Sequence, residues 1–282
     1  MDDGRVWLIT GASSGFGLAT AKAALARGDR VVATSRRVES IDGLEEGGRV
    51  MLNTLDVTEE HQRTAAVEAT IERFGRLDVL VNNAGRTQVG AVEETTDAEL
   101  RDLFELHFFA PAALTKAVLP QMRKQRGGAI VQMSSVGGQV TAPGFGAYCA
   151  TKFALEGFTE TLQAEVAPFE IRTLIVEPGA FRTGLFRPGA AYFSEDMEEY
   201  AETVGPTREY VRNDHLKQPG DPVLAAKAIL TALDADEPPL RLVLGADAIR
   251  NIRTRWERLA GELEQWEELG RATALEEKAA AS

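Results

Sequence analysis

A tyrosine and a lysine lie four residues apart in the segment YCATKFALEG, at Tyr148 and Lys152. On a helix these two side chains share one face, because residues i and i+4 are neighbours on the helix surface. A free phenol has a pKa near 10, and a neighbouring ammonium group lowers that pKa by favouring the phenolate. The pair therefore suits general acid/base chemistry, although a solvated helix face gives the same spacing.

A glycine-rich loop, TGASSGFG, lies between the apolar run VWLI and the helical pattern LATAKAALARG. A helix N-terminus presents free N–H groups and the positive end of the helix dipole, so it suits a pyrophosphate. Glycines let the backbone turn tightly and let phosphates approach closely. The spacing G-x-x-x-G-x-G differs from the common G-x-G-x-x-G fingerprint, and an ordinary strand-to-helix turn is the alternative.

The elements that must position these groups alternate between short apolar runs and longer amphipathic patterns. Strands are predicted at residues 6–9, 31–34, 50–53, 78–81, 129–133, 172–176 and 240–244, and helices at 16–27, 59–74, 98–125, 147–167 and 249–269. The apolar runs are continuous, as expected for strands covered by helices on both faces. This order predicts an α/β fold with a doubly wound, mostly parallel sheet of the Rossmann type and about seven strands.

Composition limits the function classes. The 282 residues include 44% hydrophobic and 26% charged residues and carry a formal net charge of -12, which argues against a nucleic-acid-binding face. No run is long enough to span a bilayer, and the start MDDGRVWLIT does not resemble a signal peptide. The single cysteine, Cys149, cannot form an internal disulfide, so a cytoplasmic location is expected.

The whole chain, 1–282, is predicted to form one domain with additions near its C-terminal end. Residues 184–220 are rich in glycine, proline, aromatic and acidic residues without a clear strand, and they are expected to form a substrate lid. A C-terminal helix is predicted over 246–270, and a flexible tail over 271–282. Apolar residues of this helix share one face that includes Trp256 and Trp266. This face is expected to pack on its own domain, and the alternative is that it adds to an interface.

Six motifs occur together in a fixed order: TGASSGFG, LDV (55–57), NNAG (82–85), Ser135, YCATK (148–152) and PGAFRT (178–183). This set resembles the short-chain dehydrogenase/reductase family, in its simple single-domain branch, over residues 5–185. YCATKFALEG looks most like the 17β-hydroxysteroid dehydrogenase and retinol dehydrogenase-type members. The resemblance implies hydride transfer between a nicotinamide cofactor and a ketone or secondary alcohol.

The resemblance also assigns roles to the reacting residues. Tyr148 is then the proton donor, Lys152 also holds the nicotinamide ribose, and Ser135 hydrogen-bonds the substrate oxygen. Where relatives carry an asparagine that relays protons to the lysine, this chain has His107. His107 either holds a relay water, since imidazole donates and accepts, or only fills space while a backbone carbonyl and water form the relay.

The end of the second strand, VVATSRR, predicts the form of the cofactor. An acidic residue there binds the free 2′-hydroxyl of NAD, whereas an arginine accommodates the 2′-phosphate of NADP. Ser35 occupies this position, and Arg36 and Arg37 follow. NADP(H) is therefore predicted, with Arg36 as its main contact; two solvated surface arginines are the alternative. The remaining predicted cofactor residues are Gly11, Ser13, Ser14, Gly15, Phe16, Gly17, Asp56, Val57, Asn83, Ala84, Gly85, Pro178, Gly179, Phe181 and Thr183.

The predicted substrate pocket is taken from the loops that form it in the family. Its members here are Ser135, Gln139, Phe145, Tyr148, Phe186 and Tyr192, and their aromatic content indicates a bulky, apolar carbonyl compound. Many of these residues are alternatively ordinary core. The resemblance further implies a homodimer or homotetramer, formed through the helices at 98–125 and 147–167. The scattered histidines and the single cysteine give no metal-site spacing.

Two other function classes remain open. A cofactor-binding sensor would use the same fold, although it has no need of the complete set Ser135, Tyr148 and Lys152. An epimerase or lyase that recycles its cofactor would also use it, and only net cofactor consumption separates such an enzyme from a reductase. Fold alone does not decide between them.

Overall fold

A parallel sheet of seven strands forms the centre of the computed structural model, which describes residues 4–213 and 216–274. In chain order the strands are β1 (Val6–Ile9), β2 (Arg30–Ser35), β3 (Val50–Thr54), β4 (Val79–Asn82), β5 (Thr87–Val89), β6 (Gly128–Met133), β7 (Ile171–Pro178), β8 (Ala191–Phe193) and β9 (Arg241–Leu244). The sheet order is β3-β2-β1-β4-β6-β7-β9, while β5 and β8 pair separately. The order reverses at β1, where an open α/β sheet has its ligand crevice.

Eight α-helices accompany these strands in the described residues. They are α1 (Gly15–Ala26), α2 (Glu60–Phe74), α3 (Asp97–Phe104), α4 (Ala110–Gln125), α5 (Gly146–Val166), α6 (Ala201–Asn213), α7 (Pro222–Asp234) and α8 (Ala246–Arg271). None of the helices in this part of the chain is both long and apolar enough to cross a bilayer.

Helices cover both faces of the sheet, which confirms the predicted doubly wound fold. Trp7 and Ile9 of β1 pack in one buried cluster with residues of α1 and α7, including Ala21 and Ile229. Leu8, between them on the same strand, points to the other face and joins residues of α2, α4 and α5. Successive residues of one strand thus serve two cores, which explains why the apolar runs are continuous.

The helix predicted at 98–125 is divided in the structure. Residues Glu105–Phe109 form a π-helical turn between α3 and α4, and His107 is buried within it. Such turns insert an extra residue into the helix and are frequent at functional sites. Here the turn brings His107 to the lower wall of the crevice.

The prediction of no strand between 184 and 219 is wrong. Residues of β8 pair in parallel with β5, so that Thr87 lies opposite Ala191 and Val89 opposite Phe193. Both strands have three residues, which is too short for a periodic pattern to show in the sequence. The pairing ties the first part of the predicted lid to the segment that follows β4.

The expected packing of the C-terminal helix on its own domain is wrong for most of its length. Ala248 and Ile252 of α8 are buried, but the side chains of Trp256 and Trp266 are 52% and 60% exposed. Residues beyond Ile252 are exposed up to residue 274, with Arg255 alone half-buried. Of the predicted tail, residues 275–282 lie outside the described residues.

Candidate active site

A cleft of about 610 Å³ opens at the carboxyl ends of the central strands. It collects most of the residues singled out in the sequence: Gly11, Ser13, Ser14, Gly15, Phe16, Ser35, Arg36, Asp56, Val57, Asn83, Ala84, Gly85, His107, Ser135, Tyr148, Lys152, Pro178, Gly179, Phe181, Thr183, Phe186 and Tyr192. Gly17, Arg37, Gln139 and Phe145 are not among its lining residues. One crevice therefore joins the glycine loop to the tyrosine–lysine pair.

The glycine loop owes its shape to close backbone contacts. Gly11 and Gly15 have φ angles of 64° and 55°, which side-chain-bearing residues rarely adopt. The Asn83 amide donates to the carbonyl oxygens of Thr10 and Gly11 at 2.9 and 3.0 Å, so the NNAG segment fastens the loop from β4. A Cβ atom at Gly17 would lie 2.5 Å from both the Asn83 amide nitrogen and the Gly11 oxygen. Gly17 thus shapes the loop from behind rather than lining the cleft.

The end of β2 presents an arginine and no carboxylate. Ser35 is buried, and its hydroxyl donates to the Arg37 carbonyl oxygen at 2.5 Å, which forms a tight turn. This turn leaves Arg36 on the cleft and Arg37 outside its lining. On the other side, the Asp56 carboxylate accepts hydrogen bonds from the Thr58 amide and hydroxyl and stabilises its own loop.

Tyr148, Ser135 and Lys152 meet at the inner end of the cleft. The Tyr148 phenol lies near enough to the Ser135 hydroxyl for Ser135 to lower its pKa, and the Lys152 Nζ lies 5.7 Å from the centroid of the Tyr148 ring. The Lys152 Nζ donates to the Met133 carbonyl oxygen at 2.8 Å, which fixes the ammonium group against the end of β6. Helix α5 thus provides the tyrosine and the lysine, and the loop after β6 provides the serine.

The expected lowering of the Tyr148 pKa is not found. Burial raises the pKa of Tyr148 to about 12, and the hydrogen bond from Ser135 opposes this rise. Burial also lowers the pKa of Lys152 to about 8, against the attraction of Glu156. Desolvation is the largest influence on the pKa of each group, because both are held away from water.

His107 makes two hydrogen bonds inside the protein. Its Nε2 accepts from the Arg86 backbone N–H at 3.2 Å, and its Nδ1 lies 3.0 Å from the Thr151 hydroxyl. That hydroxyl donates to the Tyr148 carbonyl oxygen at 2.7 Å, so Nδ1 carries the proton and donates to Thr151. Burial and the nearby Lys152 and Arg86 hold the His107 pKa well below 6.5. Both ring nitrogens are thus engaged, which favours the space-filling alternative over an imidazole that holds a relay water.

A buried charge cluster below Lys152 was missed in the sequence. Glu156 accepts from the Ser134 hydroxyl at 2.5 Å, and the Arg241 guanidinium contacts the carboxylates of both Glu156 and Glu177. Glu156 follows Lys152 by four residues, on the face that carries Tyr148, and this spacing could have revealed it. Arg241 comes from β9, and nothing in the sequence links it to this face.

The same cluster explains why Gln139 does not line the cleft. Its amide donates to Glu177 at 2.7 Å, and its oxygen accepts from the Trp256 indole at 2.8 Å. Phe145 precedes α5, forms a bridge with Gly90 and packs its ring 6.1 Å from that of Tyr148. Phe145 therefore contacts the Tyr148 ring without lining the cleft.

Two further residues at the cleft were also missed. The Asp247 carboxylate, at the start of α8, accepts from the Ala180 N–H at 2.9 Å, and a Cβ atom at Gly179 would collide with it. Asp247 therefore holds the Pro178–Gly179 loop in place. Arg86 follows NNAG directly, and its guanidinium stacks 4.2 Å from the centroid of the Tyr192 ring.

The outer wall of the cleft comes from the predicted lid segment. Phe186 and Tyr192 line the cleft, and Phe186 packs edge-on against Tyr210 of α6. Behind this wall, Arg208 and Glu94 form an ion pair at 2.5 Å whose side chains are only 5% and 1% exposed. No cluster of three or more potential metal ligands occurs within residues 4–213 and 216–274.

Comparison with known sequences identifies the family. The sequence model described as short chain dehydrogenase matches residues 5–191. The chain belongs to this family. Its members are oxidoreductases, which agrees with the tyrosine, lysine and glycine-loop motifs and confirms the resemblance seen in the sequence.

Relatives cover nearly the whole chain. Oxidoreductase BOA17 of Botryotinia fuckeliana is 39% identical over 96% of this chain and 99% of its own length. A 3-ketodihydrosphingosine reductase of Bacteroides thetaiotaomicron is 37% identical over 86% of this chain and 88% of its own. Among solved structures, a short-chain dehydrogenase of Streptomyces avermitilis superposes with a TM-score of 0.91 at 54% identity, covering 97% of this chain and all of its own.

Structural neighbours include complexes with both forms of the nicotinamide cofactor. A short-chain dehydrogenase of Burkholderia cenocepacia, solved with NADP, superposes with a TM-score of 0.67 at 26% identity over 97% of this chain and 99% of its own. A Burkholderia phymatum protein solved with NAD has a TM-score of 0.78 at 24% identity, over 92% of this chain and 95% of its own, which shows the shared fold. A nicotinamide cofactor is therefore supported for this chain.

Proposed function

We propose that this protein is an NADP(H)-dependent oxidoreductase acting on a ketone or the corresponding secondary alcohol. The joint placement of Ser135, Tyr148 and Lys152 in the cleft that the glycine loop closes supports this function above all. A sensor protein has no need to keep all three groups together around a buried phenol. The narrower likeness to steroid and retinol dehydrogenases, the cytoplasmic location and a homodimer or homotetramer formed through α4 and α5 stay predictions.

The residues of the cleft fit the cofactor. The loop from Gly11 to Gly15 offers two glycines and the hydroxyls of Ser13 and Ser14 at the N-terminus of α1, where a pyrophosphate is stabilised. Arg36 would hold the 2′-phosphate, because a guanidinium binds phosphate bidentately and no carboxylate occupies the end of β2. When bound, the nicotinamide supplies or accepts the hydride.

The protein's own groups then handle the proton. With a pKa raised to about 12, Tyr148 is protonated at neutral pH and can donate its phenolic proton to a carbonyl oxygen during reduction. The Ser135 hydroxyl accepts from the Gly137 N–H at 3.0 Å, and it can turn its own proton to the same carbonyl oxygen and orient it. Lys152 places positive charge near the phenolate that forms, and so stabilises it.

The central test mixes the protein and its Tyr148→Phe variant with NADPH, NADH and a panel of bulky ketones, and follows cofactor absorbance. Loss of the general acid should lower kcat by about 10²–10⁴-fold, while the dissociation constant for NADPH stays within about twofold. A variant as active as the wild type would exclude Tyr148 as the acid. Tight NADPH binding with no net oxidation by either protein would favour the sensor or cofactor-recycling alternatives.

The cofactor preference has its own test in Arg36→Asp. A carboxylate at this position should repel the 2′-phosphate and accept hydrogen bonds from a free ribose, as an acidic residue does in NAD enzymes. NADPH affinity should fall by at least about tenfold relative to NADH. Arg37→Asp is the matched control, because Arg37 lies outside the lining of the cleft. Equal effects of the two substitutions, or none, would contradict the assignment of Arg36.

A further inference from the structure

The outer part of α8 carries an apolar stripe that the described residues of its own domain cover only in part, through the hydrogen bond from the Trp256 indole to Gln139. Trp256, Leu259, Leu263, Trp266 and Leu269 have 52%, 39%, 72%, 60% and 64% of their surface exposed; these five residues are called the α8 seam below. From Arg253 to Arg271 the helix runs for about 28 Å at the usual rise per residue. A stripe of this size seldom stays exposed on a soluble monomer.

The spacing of the α8 seam is that of a coiled coil. Ile249, Trp256 and Leu263 recur every seven residues, and so do Ile252, Leu259 and Trp266. These two series fill the a and d positions of a heptad; Ile252 is buried in its own domain, and Leu269 lies beside the a and d positions. The exposed members Trp256, Leu259, Leu263 and Trp266 predict a partner helix packed against this face. A globular partner would need only a broad apolar patch and would not require a 3.5-residue repeat.

The order of the four central residues is palindromic. Trp256, Leu259, Leu263 and Trp266 follow one another at spacings of three, four and three, so the face has the same pattern in both chain directions. A two-fold symmetric interface must be self-complementary in this way. Two antiparallel copies place Trp256 against Trp266, and Leu259 against Leu263, around an axis near Gly261. A second copy of this chain is therefore the partner that the pattern fits.

The flanking charges also favour the antiparallel arrangement. With copies aligned in this register, Arg253 of each copy lies beside Glu267 of the other, and the small Ala260 residues meet near the axis. Glu262 also lies near the axis, but Arg258 of its own helix neutralises it at 2.6 Å. In a parallel pair, Glu262 of each copy would lie beside Glu267 of the other. The two like-charge contacts are unfavourable. We infer that the α8 seam is an antiparallel self-association surface of this protein.

The area involved is compatible with a specific contact. Covering two indoles and three leucines removes on the order of 600 Å² per copy, which approaches the roughly 800 Å² per partner of a standard interface. The α8 seam lies on a different helix from the predicted α4 and α5 interface, although Arg255 beside it stacks on Phe153 of α5; a larger assembly would use both surfaces. Association through α8 alone gives a dimer, and association through both surfaces gives a tetramer.

Sedimentation velocity of the full chain over a range of concentrations tests this surface. The variant Leu259→Glu/Leu263→Glu should halve the mass of the particle, or weaken association by at least about 100-fold, because charges would be buried at the symmetry axis. Arg250→Glu changes the net charge equally on the polar side of α8 and should leave association unchanged. A monomeric wild type, or a double variant that associates like the wild type, would overturn the inference.

The orientation has a separate readout. Cys149 is buried and is the only cysteine, so Arg253→Cys and Glu267→Cys each introduce one accessible thiol. A short bifunctional maleimide should cross-link a mixture of the two variants and neither variant alone. Cross-linking of a single variant with itself would indicate parallel helices and overturn the antiparallel arrangement.

A second inference rests on the proposed function and concerns its substrate. Arg86 lines the cleft together with Ser135 and Tyr148, and one face of its guanidinium stacks on the Tyr192 ring. Among the described residues no carboxylate lies within 4.0 Å of this guanidinium, although Asp102 and Glu105 line the same cleft. Stacking leaves the in-plane N–H donors of the arginine available, and these match a carboxylate bidentately.

The geometry points to a carbonyl substrate that carries a carboxylate. Stacking on Tyr192 fixes the guanidinium at the cleft wall, so an acidic group would be held while the carbonyl reaches Tyr148. A pocket built only of aromatic and aliphatic groups would instead favour the neutral form of such a compound. Arg86 thereby narrows the predicted bulky, apolar substrate to one with an anionic end.

Paired probes test this specificity: 4-acetylbenzoate and its methyl ester, each with NADPH. The wild type should prefer the acid in kcat/KM, and Arg86→Gln should reduce that preference by about tenfold or more. Arg187→Gln removes an equal charge from the same cleft and should change the preference by less. A wild type that prefers the ester, or an unchanged ratio in Arg86→Gln, would overturn this inference.

Failure of the proposed reaction can be distinguished from failure of the anion site at Arg86. If neither probe is turned over, the proposed reaction fails for these compounds, and calorimetry of 4-acetylbenzoate binding to the NADPH-saturated protein still decides the role of Arg86. Binding that Arg86→Gln loses supports the anion site. Equal binding by wild type and variant, or no binding by either, overturns it.

Discussion

The two walls of the cleft are built differently. The wall at the glycine loop is held mainly by backbone groups and the Asn83 amide, which bonds two successive carbonyl oxygens within 3.0 Å. The wall at the predicted lid combines the short pairing of β5 with β8 with side chains from distant segments, such as Arg208 with Glu94 and Arg86 with Tyr192. A wall built from backbone tolerates little change in shape. A wall that depends on paired side chains can be altered by a single substitution without disturbing the backbone around it.

Gly17→Ala should distort the glycine loop and have the largest effect, which is a loss of cofactor affinity. Its Cβ atom would lie 2.5 Å from the Asn83 nitrogen and the Gly11 oxygen, so the loop must move. Such overpacking costs about 1–3 kcal/mol, which corresponds to a loss of roughly 5–150-fold in cofactor affinity if the strain falls on the binding loop.

Fluorescence titration with NADPH measures this loss. The control is Gly157→Ala on α5, where an added Cβ atom meets nothing within 4 Å. Alanine there should leave affinity unchanged and slightly favour the helix. If both variants bind NADPH equally well, the loop is not held as rigidly as the contacts of Asn83 indicate.

Arg208→Met should loosen the lid wall and leave the glycine loop intact. It leaves the Glu94 carboxylate buried without its partner, and breaking a buried pair costs about 3–5 kcal/mol locally. We expect KM for a ketone substrate to rise by roughly tenfold, while NADPH affinity changes less than about twofold.

Steady-state kinetics and limited proteolysis of the predicted lid segment test whether KM for the ketone changes while NADPH affinity does not. Asp196→Asn is the matched control, because Asp196 also pairs with Arg208 but its side chain is 60% exposed. A parallel loss of NADPH affinity and substrate affinity in Arg208→Met would show that the two walls are mechanically coupled.

The sequence predicts features whose residues are close together in the chain. Continuous apolar runs placed the seven sheet strands to within one or two residues, since strands buried on both faces carry a local signal. The glycine loop and the pair Tyr148 and Lys152 were found for the same reason, because the residues of each motif are close in the chain.

Groups that meet across the fold escaped prediction. Arg241 reaches Glu156 and Glu177 from another strand, and Gln139 is turned away from the cleft by partners 38 and 117 residues distant. The Tyr148 pKa was expected to fall because spacing shows the lysine but not the burial of both groups. Periodicity likewise showed which face of α8 is apolar, but it did not show whether the domain covers that face.

Of the substitutions considered, Glu156→Gln should have the smallest effect. It changes how the stability of the protein depends on pH, and it probes the charge cluster below Lys152. Burial raises the Glu156 pKa from 4.5 to about 7. Between these values the folded protein retains a proton that the unfolded chain has lost, so the free energy of unfolding falls as pH rises through this window. The variant lacks this titration, and its stability should depend less on pH there.

Urea unfolding at several pH values between about 4.5 and 7 measures this slope. Glu160→Gln is the control, because Glu160 also contacts Arg241 but its side chain is 50% exposed. Identical pH profiles for wild type and Glu156→Gln would show that the buried cluster keeps its charge throughout this range.

The three tryptophans give the molecule a built-in optical reporter. Trp7 is fully buried in the central sheet, whereas the residues Trp256 and Trp266 are more than half exposed on α8. Light absorbed by the two outer indoles is emitted at longer wavelength, because water relaxes around their excited state. Red-edge emission therefore reports on the surroundings of one projecting helix, and blue-edge emission on the integrity of the sheet, without any label.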